Sequence, residues 1–328
     1  MHWHHLILPL LVVCLAAVVT WGAIHYALRR QLFDLPGARR SHSVSTPRGG
    51  GIGIVVSQLF ACGAVALLYP GVSTVSLLFA LGLLMVAGIG WWDDHRPLPA
   101  LPRLGVHLLA ALLLGFLVWQ GTGSAAKAAF CVVLAVSLIN IWNFMDGING
   151  LATTQAILVG VGAGLLLPGP YALAGWLLAA GCLGFLPFNF PRARIFMGDV
   201  GSGALGYLVA GVLALGLSVG DAALPLWLML PAAFCIDAGF TLLSRIRKGE
   251  RWMQPHTQHL YQRFVKRECS HSVVTGGYAL FTLSGLTLAV LFSRLSLGWG
   301  WAGGVAWLSA AAAVWLFLRR QYFNKDDD

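Results

Sequence analysis

The sequence predicts an all-α polytopic membrane protein of about eleven transmembrane helices, with a periplasmic N-terminus and a cytoplasmic C-terminus. Three observations carry that prediction. Hydrophobic residues make up 58% of the 328 residues, only 10% are charged, and the mean hydropathy is +0.77, a balance far from that of a soluble domain. Apolar runs long enough to cross a hydrocarbon core recur between short polar loops. The basic residues fall almost wholly into alternate loops, so 19 of the 21 Lys and Arg lie on one side and only Lys127 and Arg294 on the other. The positive-inside rule places the rich side in the cytoplasm. The net charge of +9 is therefore topological, with a contribution from whatever anion the loops bind, and is no nucleic-acid signature.

The predicted spans are 6–28, 50–69, 73–91, 104–119, 126–142, 151–167, 171–187, 200–219, 222–244, 273–293 and 299–318. The first has no basic residues ahead of it and is followed by Arg29 and Arg30, so it reads as an uncleaved anchor rather than a signal peptide. The whole chain, 1–328, reads as one integral-membrane domain. Its inner loops are about 29–49, 92–103, 143–150, 188–199 and 245–272. The six cysteines (Cys14, Cys62, Cys131, Cys182, Cys235, Cys269) form no CxxC pair, and all but Cys269 fall in apolar runs; they read as small core residues rather than disulfides or zinc ligands.

The inner loops hold the chemistry. In the first, Arg39, Arg40, His42 and Arg48 converge on a Thr-Pro turn and the glycines that open the second span; glycines there suggest close backbone approach. Arg29 and Arg30 serve as well for topology or anionic-lipid contact. The second loop opens with Asp93 and Asp94 at a helix end, where carboxylates repel each other and oppose the helix dipole. Placing a cation or an anionic nucleophile would reward that arrangement, whereas a solvated acidic loop would not need it. The third carries Asn140, Asn143, Asp146 and Asn149 at every third position, which on a helical turn stacks them on one face. Asparagine caps would account for one or two of these, not four.

The stretch Phe188–Gly203 reads FNFPRARIFMGDVGSG. It offers Arg192, Arg194, a carboxylate at Asp199 and glycines at a helix start, a combination suited to metal-bound phosphate. The last inner loop is the longest and most basic, with His256, His259, Tyr261, Gln262 and Arg263 close together. Asp237, inside the ninth span, is either functional or a structural acceptor.

These motifs resemble the polyprenyl-phosphate N-acetylhexosamine-1-phosphate transferases. The resemblance rests on Asp93-Asp94, on Asn143-Phe-Met-Asp146-Gly-Ile-Asn149-Gly, on Pro191-Arg-Ala-Arg-Ile-Phe-Met-Gly-Asp199-Val-Gly-Ser202, and on Pro255-His256-Thr-Gln-His259-Leu-Tyr-Gln-Arg263. Their order, spacing and sidedness agree over nearly the whole chain, and the Tyr-Gln-Arg ending is closest to the O-antigen initiating members. Asn149 stands where much of the family has aspartate, and Pro97 follows His95-Arg96 where a third aspartate is common.

The resemblance implies that undecaprenyl phosphate attacks the β-phosphorus of a UDP-N-acetyl sugar at the cytoplasmic face of a bacterial inner membrane. The products would be undecaprenyl-diphospho-sugar and UMP. It further implies Mg²⁺, with Mn²⁺ an alternative, held by Asp199 and Asp94. Asp93, Asp94, Asp146 and His259 would be catalytic. Arg48, Asn140, Asn143, Asn149, Arg192, Arg194, His256 and Arg263 would bind substrate. Partners are the lipid phosphate, the UDP-sugar and the bilayer, with room for a homodimer and no nucleic acid. Asp93 is usually discussed as the base, but a phosphate monoester has its second pKa near ~6, so placing cation and nucleophile is the more natural work for Asp93 and Asp94. Direct attack and a covalent aspartyl-phosphate route both remain open. The competing class is a secondary transporter, for which only Asp237 speaks.

Overall fold

The computed structural model describes residues 4–34, 44–220, 222–250 and 257–322. The helices are α1 (His4–Arg30), α2 (Ile52–Leu68), α3 (Ser73–His95), α4 (Ala100–Thr122), α5 (Ala125–Met145), α6 (Leu151–Leu166), α7 (Ala172–Asn189) and α8 (Asp199–Val219), followed by α9 (Leu224–Met229), α10 (Ala232–Arg247), α11 (Leu260–Lys266), α12 (His271–Ser293) and α13 (Leu297–Tyr322). A two-residue antiparallel pair, β1 (Phe33–Asp34) and β2 (Thr46–Pro47), brackets the first loop. Among the described residues, eight helices are long and apolar enough to cross a membrane, and α2 and α6 are apolar but shorter.

Ends form where local chemistry dictates. Ser124 caps α5 by accepting the Lys127 N–H, Ser270 does the same for Val273 on α12, and Gly123 closes α4 in the left-handed region at φ 67°. These satisfy backbone groups that a helix end leaves without partners. The predicted span 222–244 is two helices rather than one. Pro225 sits in the first turn of α9, and the chain breaks before α10, whose N-cap is Pro231, because proline cannot donate to the preceding turn.

Helix α8 is the axis of the bundle. Most of its residues are buried, from Val200 to Leu213, against α2, α3, α5 and α6. Glycines set some of those approaches. A Cβ on Gly51 would lie 2.3 Å from the Gly201 Cα, and one on Gly206 would lie 2.3 Å from the Leu138 carbonyl oxygen. At the end of the bundle away from the acidic motifs, Lys127 Nζ donates to the Leu217 carbonyl at 2.8 Å. At the other end the predicted inner loops pack together: Gly50 and Gly51 donate to the carbonyls of Phe196 and Met197, and Asn149 Nδ2 donates to that of Pro191 at 3.0 Å.

Candidate active site

At that end the helices gather their polar residues around a cavity of about 300 Å³, lined among others by Asp34, Asn143, Asp146, Asp199, Ser202 and Gln262. Its floor is the start of α8. Asp199, the first residue of that helix, has Oδ1 2.7 Å from Asn143 Nδ2, which also donates to Ser202 Oγ at 2.9 Å. One asparagine on α5 thus fixes a carboxylate and a hydroxyl on α8. Its placement follows from α5 packing directly against α8.

Asp94 also lines the cavity, and both of its oxygens are engaged by backbone amides. Its Oδ1 accepts the N–H of Asp199 and its Oδ2 that of Val200, both at 3.0 Å. The last turn of α3 thereby caps α8 across a helix–helix contact and places a negative charge at the positive helix end. The N–H groups of Gly201 and Ser202 go to the Gly198 carbonyl, so all four leading amides of α8 have partners. The glycines beside Asp199 therefore serve close packing, against Gly51 for Gly201 and against Asp94 for Gly198, where φ is +74° and a Cβ would sit 2.6 Å from Oδ2. They do not form a phosphate cradle. Arg48 braces the same corner by donating Nη2 to the Asp94 carbonyl.

Asp93, one residue earlier, faces another way, as a 100° step around the helix requires. Its Oδ1 accepts the Leu98 N–H at 2.5 Å and its Oδ2 pairs with Arg103 Nη1 at 2.6 Å. The same Arg103 nitrogen lies 3.2 Å from Asp199 Oδ2, and Nη2 lies 3.4 Å from Asn143 Oδ1. Sequence reasoning counted Arg103 only as a topology marker. The available signal was the short Pro97–Pro99 connection, which folds α4 back on α3 and sets Arg103 opposite Asp93. Asp34, Asn189 and Ser202 also line the cavity. Asn189 accepts from the Gly150 N–H at 2.8 Å and donates to the Ile195 carbonyl at 3.0 Å, tying two inner loops together.

The expected stripe of four does not form, because α5 ends at Met145 and Asp146 is its C-cap with φ −87°, ψ 55°. Asn143 and Asp146 line the cavity. Asn140 turns back to the Val136 carbonyl at 2.7 Å, and Asn149 joins Pro191, His271 and Thr275; both hold structure. Arg192 is exposed and does not line the cavity. Arg194 donates to the Pro187 carbonyl at 3.1 Å and lies over the Phe188 ring, which serves the end of α7. His259 and Arg263 are buried beside the cavity without lining it, whereas Gln262, between them, does line it. Burial holds the His259 imidazole below its ordinary range, with Asp237 opposing that shift. His256, like Arg39, Arg40, His42, Trp252 and Gln254, lies outside the described residues.

The donor set suits a hard divalent cation. Mg²⁺ takes one or two carboxylates and fills its remaining positions with water and phosphate oxygens, so it does not need the three-ligand cluster that is absent among the described residues. Asp199 and Asp146 supply carboxylates and Asn143 an amide. The observation favouring a cation is Asp146. Burial, and then the charge of Asp94, push its carboxyl up to about 7, and among the described residues it pairs with no Lys or Arg.

Asp237 resolves as a structural acceptor. It takes the Leu260 N–H at 2.9 Å, Trp315 Nε1 at 3.1 Å, Thr241 Oγ1 at 3.4 Å and Tyr278 Oη at 2.7 Å. It joins α10, α11, α12 and α13 on the wall of an apolar slot of about 380 Å³, away from the acidic cavity. The one residue that spoke for transport is thus a joint between helices.

Residues 76–217, from α3 through α8, match the model of glycosyl transferase family 4. Over 306 residues the chain is 33% identical to a decaprenyl-phosphate N-acetylglucosaminephosphotransferase of Mycolicibacterium smegmatis, covering 78% of this chain and 75% of that one. It is 27% identical to a phospho-N-acetylmuramoyl-pentapeptide-transferase of Synechococcus, covering 83% and 84%. It is also 27% identical to a probable undecaprenyl-phosphate N-acetylglucosaminyl 1-phosphate transferase of Bacillus subtilis, covering 75% and 73%. The matched region contains Asn143, Asp146 and Asp199, which line the cavity, and Asp93 and Arg103, which pair with each other beside Asp199. The chain therefore belongs to glycosyl transferase family 4, the polyprenyl-phosphate sugar-1-phosphate transferases, and is a membrane phosphoglycosyl transferase.

Proposed function

We propose that the protein transfers N-acetylhexosamine 1-phosphate from a UDP-sugar to undecaprenyl phosphate at the cytoplasmic face of the inner membrane, initiating an envelope polysaccharide of the O-antigen type. The observation that carries this reading is the cavity itself, where Asp94, Asp146 and Asp199, the Arg48 side chain and the α11 residue Gln262 meet at the helix ends, with Arg103 of α4 paired to Asp199 at its edge. A soluble nucleotide and a membrane-borne phosphate can both reach such a place. UDP-GlcNAc is the first candidate donor, because two of the relatives named above carry N-acetylglucosamine in their names; UDP-FucNAc and UDP-QuiNAc are the alternatives.

In this mechanism an oxygen of the lipid phosphate attacks the β-phosphorus. The bond from that phosphorus to the bridging oxygen breaks, and UMP leaves with the electron pair. Both reactants are anions, so charge neutralisation and alignment dominate the barrier. A Mg²⁺ ion held by Asp199 and Asp146 would neutralise the diphosphate and the leaving UMP. Asn143, which also donates to Ser202 Oγ, keeps the Asp199 carboxylate in a fixed orientation. Asp94 holds α8 in place. Asp93 is engaged by Arg103 and by the Leu98 N–H, which fits positioning better than proton removal. The basic loop 245–271 is the proposed seat of sugar selectivity, with Gln262 as the residue that lines the cavity.

The test uses purified full-length protein with UDP-GlcNAc, undecaprenyl phosphate and Mg²⁺. UMP release should require all three, and Asp199→Asn should lower the rate by about two orders of magnitude or more while the protein still inserts and purifies. Near-normal turnover of that variant at saturating Mg²⁺ would remove Asp199 from the mechanism. UMP release that persists without lipid phosphate would sink the transfer reading.

A further inference from the structure

Arg103 stands where a metal-dependent site needs positive charge. Its Nη1 bridges two carboxylates on different helices, at 2.6 Å from Asp93 Oδ2 and 3.2 Å from Asp199 Oδ2. Its Nη2 lies 3.4 Å from Asn143 Oδ1. The guanidinium presents a planar fork of donors matched to carboxylate or phosphate oxygens.

The two ends of this bridge are unequal. Asp93 is only 10% exposed and is held a second time by the Leu98 N–H, so it is the fixed anchor. Asp199 is 31% exposed and faces the cavity, and Arg103 is 24% exposed. Asn143 already occupies Asp199 Oδ1, which leaves Oδ2, the oxygen that Arg103 reaches, as the one open to an incoming cation. A second positive charge close to that oxygen would be repelled by the guanidinium.

We propose that Arg103 is a built-in counter-cation that competes with the divalent cation for Asp199. Once displaced, and still tethered through Asp93, it turns its remaining N–H donors to the substrate phosphates. The inference rests on the metal-dependent transfer reading above. It makes Arg103 the coupling between metal and nucleotide: metal entry frees an anion-binding fork, and an anion that engages the fork relieves the competition for Asp199. Each ligand then strengthens the other by the same factor.

The experiment measures Mn²⁺ binding by electron paramagnetic resonance, with Mg²⁺ in competition, on purified full-length protein, and UDP binding at saturating Mg²⁺. Arg103→Gln should bind the metal alone about tenfold more tightly and UDP about tenfold more weakly. Arg103→Lys keeps the charge, so its metal affinity should stay near that of the wild type while UDP still weakens through loss of the fork. A purely structural arginine would give losses of both affinities in step with a fall in melting temperature, and that result overturns the proposal. Should Arg103→Gln not fold, the wild type supplies the answer through phenylglyoxal labelling read by mass spectrometry. Modification of Arg103 should rise on adding Mg²⁺ and fall on adding UDP with Mg²⁺; labelling indifferent to Mg²⁺ overturns the proposal. Failure of the underlying metal reading is separable, because it appears as absence of Mn²⁺ binding by the wild type even with UDP.

Discussion

At the scale of the residue, adjacent side chains in one motif do different work because a helix rotates between them. Asp93 ends in an ion pair with Arg103, and Asp94 ends as the cap of a neighbouring helix. Asp94→Asn keeps one carbonyl oxygen for two amide donors and brings an NH₂ against the other, so the α8 cap is lost in part. The expected destabilisation is about 1–2 kcal/mol, read as a lower melting temperature, with Mn²⁺ affinity reduced only modestly. An unchanged melting temperature with metal binding abolished would return Asp94 to the role of ligand. Asp146 gives a pH prediction. Its carboxyl is pushed up to about 7, and a divalent cation binds the ionised form. Metal affinity should therefore level off above pH 7 and fall as pH drops below it, since protons then occupy the ligand. Titrations of Mn²⁺ between pH 5.5 and 8.5 check this, and a flat profile would exclude Asp146 from the metal shell. Asn140 and Asn149 are the residues for which sequence spacing misled. Their amides satisfy backbone groups nearby, and nothing in the spacing distinguishes that use from ligand binding.

At the scale of the element, the helices were legible because apolar length is sufficient to specify them, but their breaks and contacts were less so. Span 222–244 divides at Pro231, and α4 extends through Ala100–Thr122 beyond the predicted 104–119, since polar ends add turns that hydropathy does not count. The glycine-rich starts of α2 and α8 answer each other. Gly51 Cα and Gly201 Cα pack so closely that a methyl group at either position would strike the opposite backbone. Gly51→Ala should therefore destabilise by about 1–3 kcal/mol or more and disturb the cavity, because α8 carries Asp199. Thermal unfolding in detergent measures this; a variant as stable as the parent would mean that α2 can shift without strain. By contrast, nothing lies within 4 Å of a Cβ built on Gly63, further along α2, and Gly63→Ala is the matched control.

At the scale of the whole molecule, the prediction concerns orientation. The acidic cavity and the basic loops occupy one end of the bundle, and the positive-inside rule assigns that end to the cytoplasm. A reporter inserted at Ser124 should be periplasmic and one following Tyr322 cytoplasmic; the reverse pattern would place the site on the wrong side for a cytoplasmic nucleotide-sugar. The sequence by itself determined the all-α membrane class, the family and the inner-loop motifs that carry Asp93, Asn143, Asp146 and Asp199, because apolar length and short motifs are local properties. Only the tertiary structure decided that Asp94 caps α8, that Arg103 joins the acidic cluster, that Arg192 and Arg194 do not line the cavity, and that Asp237 is a joint of four helices. Each of those outcomes depends on which helix ends meet across the bundle. That is set by the packing of small residues between segments distant in sequence, and no local pattern encodes it.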